Sequence, residues 1–302
     1  MRQPLSRAIW RPRLAARMLA VGFLVASPAG ALVVMRAFAA TAAATAPNPV
    51  QGFLVSPTRV VFTDLDRNAQ ITLVNHGPET GLYRLSITRM RMALDGRIVE
   101  IETAEPGEQF ADTLVRFSPR QVELEPGTPQ TVRLQFRLPP DLPPGEYRSH
   151  LLIRAVPRLE APVAPDSAVG SEVRILLTPI FGAAIPVIVR HGRTEATVAI
   201  EQATLVPAKA AGEPDQVAFE LTRSGTRSVY GDITVSHQGQ KGRRQVVARL
   251  KGVAVYTPNP RRRLEIPLQS PAGDLGPGRL EVRFEESGHG HVPVAIAAID
   301  LP

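Results

Sequence analysis

Residues 173–189 constrain the fold most tightly. Every odd position from Val173 to Val189 is apolar (Val173, Ile175, Leu177, Pro179, Phe181, Ala183, Ile185, Val187 and Val189). The even positions include Arg174, Thr178, Gly182 and Ala184, and Arg190 follows the run. Alternation at a period of two places successive side chains on opposite faces, so this segment predicts a strand with one wholly apolar face. Ordinary strands run ~5–6 residues, spanning ~17–20 Å, and this run exceeds what a sandwich core of that depth covers. Pro179 lacks an amide donor and belongs at a sheet edge. An apolar edge strand invites aggregation unless another chain pairs with it. The competing reading divides the run at Pro179 to Gly182 into two strands that both serve internal cores.

The rest of the chain keeps a similar rhythm. Gly52 to Phe62, Gln70 to Asn75, Tyr83 to Met92, Leu114 to Phe117, Thr131 to Leu138 and Tyr147 to Val156 all read as strands. Asn75-His76-Gly77-Pro78 and Glu125-Pro126-Gly127 supply turns, and Asp95-Gly96 predicts a hairpin joining Leu85–Met92 to Ile98–Ile101. Pro157 to Gly170, rich in Ala, Pro and acidic residues, reads as a loop. After His191-Gly192-Arg193 the rhythm restarts, with strands expected at Ala196–Glu201, Val217–Thr222, Gly231–Ser236, Gln245–Leu250, Leu264–Leu268 and Leu280–Glu285. No window carries the spacing of three and four that a long helix needs. The chain has 302 residues with 29 prolines and 23 glycines, so two all-β sandwiches are expected rather than one core. The division is residues 1–46 as a leader and tail, 47–190 as a first domain and 191–302 as a second.

The leader reading rests on a basic stretch followed by the apolar run Met18 to Met35, then alanine-rich residues to Ala46. That is the order of an export signal, with Ala-x-Ala sites ending at Ala39, Ala42 or Ala46. An uncleaved membrane anchor is the rival, opposed by the Ser27-Pro28-Ala29-Gly30 break. No later segment is apolar enough to span a bilayer, so no stable membrane insertion is expected. Five positive charges, Arg2, Arg7, Arg11, Arg13 and Arg17, lie in the leader; without them the net charge of +7 falls to about +2. Nucleic-acid binding loses its compositional support accordingly. The chain has no cysteine, which excludes disulfides, thiolate metal sites and thiol nucleophiles.

No catalytic constellation stands out: no phosphate-cradling glycine loop, no nucleophile elbow and no paired-histidine metal helix. His289-Gly290-His291 could clip a metal but has no third ligand nearby, and a solvated turn is the simpler reading. Arg261-Arg262-Arg263 reads as a solvated loop beside a Pro-Asn-Pro turn. Neither enzyme activity nor a cofactor is expected.

Five segments in order resemble the PapD-like periplasmic pilus chaperones. Gly52 to Phe62, with Thr58-Arg59-Val60-Val61-Phe62, is similar to the family's first strand, and Leu73-Val74-Asn75-His76 to its second. Phe117-Ser118-Pro119, Leu124 to Gly127 and Gln130 to Leu134 are similar to its proline-rich hairpin and following strand. Leu142-Pro143 with Tyr147-Arg148 and Ile153 to Pro157 follow in the expected order. The likeness covers about Gly52 to Arg190; the second domain agrees only in rhythm.

The resemblance implies two immunoglobulin-like β-sandwiches in a boomerang arrangement, located in the periplasm. It implies that Val173 to Val189 is the G1 strand, donated to pilus or fimbrial subunits that lack their own final strand. Val173, Ile175, Leu177, Phe181 and Ile185 would make those donor-strand contacts, and an outer-membrane usher would receive the loaded subunit. The family holds the subunit's C-terminal carboxylate with two basic residues. Arg59 fits the first, and an arginine fork suits a carboxylate. The second departs, because Pro186 stands where the family carries lysine; Arg174 or Arg190 would substitute, or Arg59 acts alone. An ordinary surface ion pair is the plainer reading of Arg59. In the free protein an exposed G1 edge could pair with itself. Two rivals stand beside the chaperone: an exported structural or adhesion sandwich whose long strand is purely internal, and a secreted hydrolase with an accessory domain.

Overall fold

A computed structural model describes residues 52–157, 180, 182–210, 212–240, 242–288 and 293–302. The first ten strands are β1 (Phe53–Ser56), β2 (Val60–Phe62), β3 (Asn68–Asn75), β4 (Gly81–Thr88), β5 (Met90–Met92), β6 (Ile98–Glu100), β7 (Val115–Ser118), β8 (Gln121–Leu124), β9 (Pro129–Phe136) and β10 (Gly145–Ala155). They are followed by β11 (Gly182–His191), β12 (Ala196–Val206), β13 (Gln216–Gly225), β14 (Val229–Gly239), β15 (Arg244–Val255), β16 (Arg261–Pro267), a one-turn helix α1 (Ala272–Leu275), β17 (Gly278–Glu286) and β18 (Pro293–Leu301).

Two sheets, ordered β1-β3-β9-β7 and β2-β11-β10-β4-β8, face each other over one core. Ile71 and Leu73 from β3, Val132, Leu134 and Phe136 from β9, and Leu151 and Ile153 from β10 fill it, together with Phe62. Two further sheets, β12-β13-β16 and β15-β14-β17-β18, enclose a second core around Phe219, Leu221, Ile233, Val235, Val282 and Phe284. The β5–β6 hairpin stands apart from all four sheets. The all-β, two-sandwich expectation therefore holds.

Gly52 to Phe62 is not one strand. β1 pairs antiparallel with β3 in one sheet, whereas β2 pairs parallel with β11 in the other. Between them Pro57 has no amide to continue the ladder, and the chain crosses from one layer to the next. Tyr83 to Met92 is also divided, with β4 and β5 in different sheets. Asp95-Gly96 does form the turn of the β5–β6 hairpin, with Gly96 at φ +86°. Arg261-Arg262-Arg263 is not a loop: it opens β16 and pairs with Glu220, Leu221 and Thr222 of β13.

Burial along β10 explains its sequence. An edge or one-sided strand alternates, but Gly145 to Ile153 are all buried. Tyr147, Leu151 and Ile153 belong to the first core. The opposite face, Glu146, Arg148 and His150, is polar and yet buried, because the second sandwich covers it. Ile188 on the neighbouring strand β11 joins this contact in a small cluster with Met92, Ala254 and Tyr256.

Candidate functional site

The polar face of β10 runs in register beside β11: Glu146 opposes Arg190, Arg148 opposes Ile188, and His150 opposes Pro186. Directly opposite residues in antiparallel strands lie within side-chain reach, so these six residues form one ladder.

Glu146 closes the ladder's lower end. Its side chain is fully buried and takes an ion pair from Arg190 at 3.0 Å. It also accepts the Ser228 amide at 3.0 Å and the Ser228 hydroxyl. Arg190 donates in addition to the Ser228 carbonyl at 3.2 Å. Strands of the first sandwich are thus joined to the start of β14 through one carboxylate.

Above it the ladder becomes cationic. The Arg148 guanidinium lies 4.3 Å from the Tyr256 ring centre and donates to the Met90 carbonyl at 3.1 Å. Arg59, from the crossing segment between β1 and β2, sits 4.4 Å over the Tyr230 ring and 5.4 Å from Tyr256. Its Nη1 donates to the Tyr256 hydroxyl at 3.2 Å. Two arginines therefore share one tyrosine, a contact favoured by the ring's negative face. Arg59 Nη2, Arg148 Nε and His150 Nδ1 are buried without a hydrogen-bond partner among the described residues. Burial pulls the Arg148 pKa below its ordinary value, despite help from Tyr256, Glu146 and Glu108. Burial, then the charges of Arg148 and Arg59, push His150 down to about 3, so its ring is neutral at physiological pH.

Beside this cluster runs an open edge. β2 covers β11 only at Val187, Ile188 and Val189. Among the described residues no strand pairs with Gly182–Pro186 on the side away from β10.

The residues singled out from sequence distribute unevenly. Arg59 lies in the cation stack. Arg190 is already engaged by Glu146 and Ser228, so it is no open carboxylate anchor. Ile185 is 3% exposed inside the first core, so it does not project toward a partner as the donor-strand reading had it. Val173, Arg174, Ile175, Leu177 and Phe181, as well as His289-Gly290-His291, lie outside the described residues. Sequence reading missed Arg148 and His150. In sequence Glu146, Arg148 and His150 only alternate with Tyr147, Ser149 and Leu151, the pattern of an ordinary half-buried strand.

Among the described residues no helix is long and apolar enough to cross a membrane. No group of three metal-ligating side chains occurs among them either.

No protein-family model matches the chain, and no curated protein does. Similar solved structures include a chain of the CsuC–CsuE chaperone–tip adhesion subunit complex from Csu pili of Acinetobacter baumannii. It shares 12% identity over 82% of this chain and 98% of that one, with a TM-score of 0.41. The CupB2 chaperone of Pseudomonas aeruginosa shares 15% over 82% and 98%, with a TM-score of 0.38. A chain of the SafA pilin–SafB chaperone complex of Salmonella enterica shares 15% over 84% and 98%, with a TM-score of 0.39.

Proposed function

We propose that this protein is an exported periplasmic chaperone for pilus or fimbrial subunits, acting by lending a strand edge and not by catalysis. The observation that carries the reading is the edge Gly182–Pro186 of β11, unpaired among the described residues, beside a buried Arg148 and a half-buried Arg59 that share Tyr256. An incomplete β-sandwich needs a strand to close its sheet, and an unpaired edge supplies backbone donors and acceptors for that purpose. Residues 47–190 would form the binding domain and 191–302 the second. A loaded subunit would pass to an outer-membrane usher.

Within this reading Arg59 is the primary contact for the subunit's terminal carboxylate, and Arg148 replaces the basic residue that Pro186 lacks. Its position supports the assignment: Arg148 lies on the strand next to Pro186, two residues from Pro186's cross-strand partner His150. Both guanidiniums hold a buried nitrogen without a partner among the described residues, so a carboxylate that reached them would satisfy those donors.

The burial of Ile185 favours the rival in which the strand is purely internal, at least from residue 185 onward. Co-purification decides between them. Wild-type protein, Arg59→Ala and Arg148→Met are each co-expressed with a small β-rich subunit lacking its last strand. The chaperone reading expects a 1:1 complex with wild type and a loss of about tenfold or more in affinity for each variant, a factor equal to ~1.4 kcal/mol. Wild type eluting alone beside a folded, soluble subunit removes the chaperone reading. A complex retained equally by both variants keeps the chaperone and discards the arginines as anchors.

A further inference from the structure

The outer face of the sheet β1-β3-β9-β7 carries no carboxylate. Its outward positions are set by the register: Asn68, Gln135 and Arg116 form one row, and Gln70, Arg133 and Ser118 the next. Thr72 follows with Ser56 and Thr131, then Val74 with Leu54 and Pro129. Three arginines gather around Gln135: Arg116 directly across from it, and Arg133 and Arg137 two residues to either side on its own chain segment. All three are exposed. Together with Asn68 and Gln70 they line a shallow trough of about 570 Å³.

This face differs from the rest of the surface. Other depressions include carboxylates: Glu201 in one, Asp232 and Glu285 in a second, and in a third Asp112, which borders the same Arg116 but is paired with Arg89. On the second sandwich Arg244 and Arg283 share Glu281, and Arg279 pairs with Asp300. Like charges held as neighbours across and along strands repel, and here nothing on the same face offsets them.

We propose that this face docks an acidic protein surface, with Arg116, Arg133 and Arg137 receiving its carboxylates. A guanidinium fork binds a carboxylate through two parallel hydrogen bonds. Asn68, Gln70 and Gln135 add amide donors and acceptors between the cations. The apolar residues of this face, Leu54, Val74 and Pro129, lie at its far end from the arginines, whereas a lipid surface would call for apolar side chains to insert beside the cations. This face is made by the sheet opposite the one that carries β11, so its occupant is distinct from the subunit proposed above.

The test is fluorescence anisotropy with a labelled peptide of alternating glutamate and serine, titrated with the full-length protein at low and high salt. Binding that weakens with salt is expected, and the double charge reversal Arg116→Glu/Arg133→Glu should weaken it about tenfold or more. Arg249→Glu/Lys251→Glu on the second sandwich should leave it unchanged. Should the double reversal fail to fold, the milder Arg116→Gln/Arg133→Gln/Arg137→Gln replaces it. No peptide binding, or binding indifferent to these variants, overturns the proposal. So does arginine-dependent flotation with phosphatidylglycerol vesicles in the absence of peptide binding, which would make the occupant a lipid surface.

Discussion

His150 is held neutral where an exposed histidine would still titrate. Its pKa falls to about 3 from an ordinary 6.5, first through burial and then through Arg148 and Arg59. The sign follows from proton counting. Above the unfolded pKa neither state binds the proton, and the contribution to stability is complete. As pH drops below about 6.5, the unfolded chain takes up a proton that the folded chain refuses. Stability then declines by up to ~1.4 kcal/mol per pH unit until pH approaches the folded value. Urea midpoints measured from neutral to acid pH should show wild type losing stability faster than His150→Gln, which has no proton to gain. Parallel curves would show that the histidine is solvated. At this scale the sequence was readable only in part. Arg59 stood out because its strand context was recognisable, whereas Arg148 and His150 look like the solvated face of a half-buried strand. Only a second sandwich packed over that face buries them, and no local pattern announces which strand face a distant domain will cover.

Strand β14 shows what an element demands of single positions. Gly231 lies where the β14–β15 register shifts, directly opposite Glu286 on β17. A Cβ there would run into the Glu285 backbone carbonyl, which cannot swing aside as a flexible side chain could. Gly231→Ala should therefore destabilise the second sandwich by about 1–3 kcal/mol, the usual cost of forced overpacking, while the first is untouched. Differential scanning calorimetry checks this; a variant that melts with wild type would mean the strands part at no cost. Periodicity located most elements because alternation survives wherever one face is buried, as in β3 and β9. It failed where that premise failed. β8 is only four residues long, between a proline and a Glu-Pro-Gly turn, so too few alternations exist to count. β18 reads Pro-Val-Ala-Ile-Ala-Ala-Ile-Asp-Leu, nearly continuous in small and apolar residues, and shows no contrast between faces. The split of Gly52 to Phe62 hides for a related reason: both halves alternate, and nothing in the spacing says that they pair with different partners.

The two sandwiches communicate through few groups, and Glu146 is the one on which the others converge. The β5–β6 hairpin adds contacts, since Asn259 donates to the Met92 carbonyl at 2.7 Å and the Arg263 amide to that of Leu94 at 2.8 Å. Arg262 packs against Gly96, so the arginine run that reads as solvent-facing in sequence instead helps seat one sandwich on the other. Glu146 differs in carrying charge into a fully buried position, where it binds Arg190 and both donors of Ser228. Removing one partner of a buried pair strands the other, which typically costs 3–5 kcal/mol. Glu146→Ala would leave the Arg190 guanidinium with only the Ser228 carbonyl and would orphan the Ser228 amide. Thr257 is tied to the same point, because its amide donates to the Ser228 hydroxyl at 3.0 Å. Hydrogen exchange should then show protection falling at Ser228 and Thr257, while the β3–β9 and β13–β16 ladders keep theirs because their cores are separate. If all four regions lose protection together, the sandwiches unfold as one body and Glu146 stabilises the whole. If none changes, the Tyr256 stack and the hairpin contacts hold the sandwiches together without it. The expected outcome makes Glu146 the main tie in a seam that also holds the Tyr256 stack and the hairpin contacts, two residues along β10 from Arg148. Occupying the arginines proposed to meet a subunit would then bear on the seam as well, through Arg148, which shares its strand with Glu146.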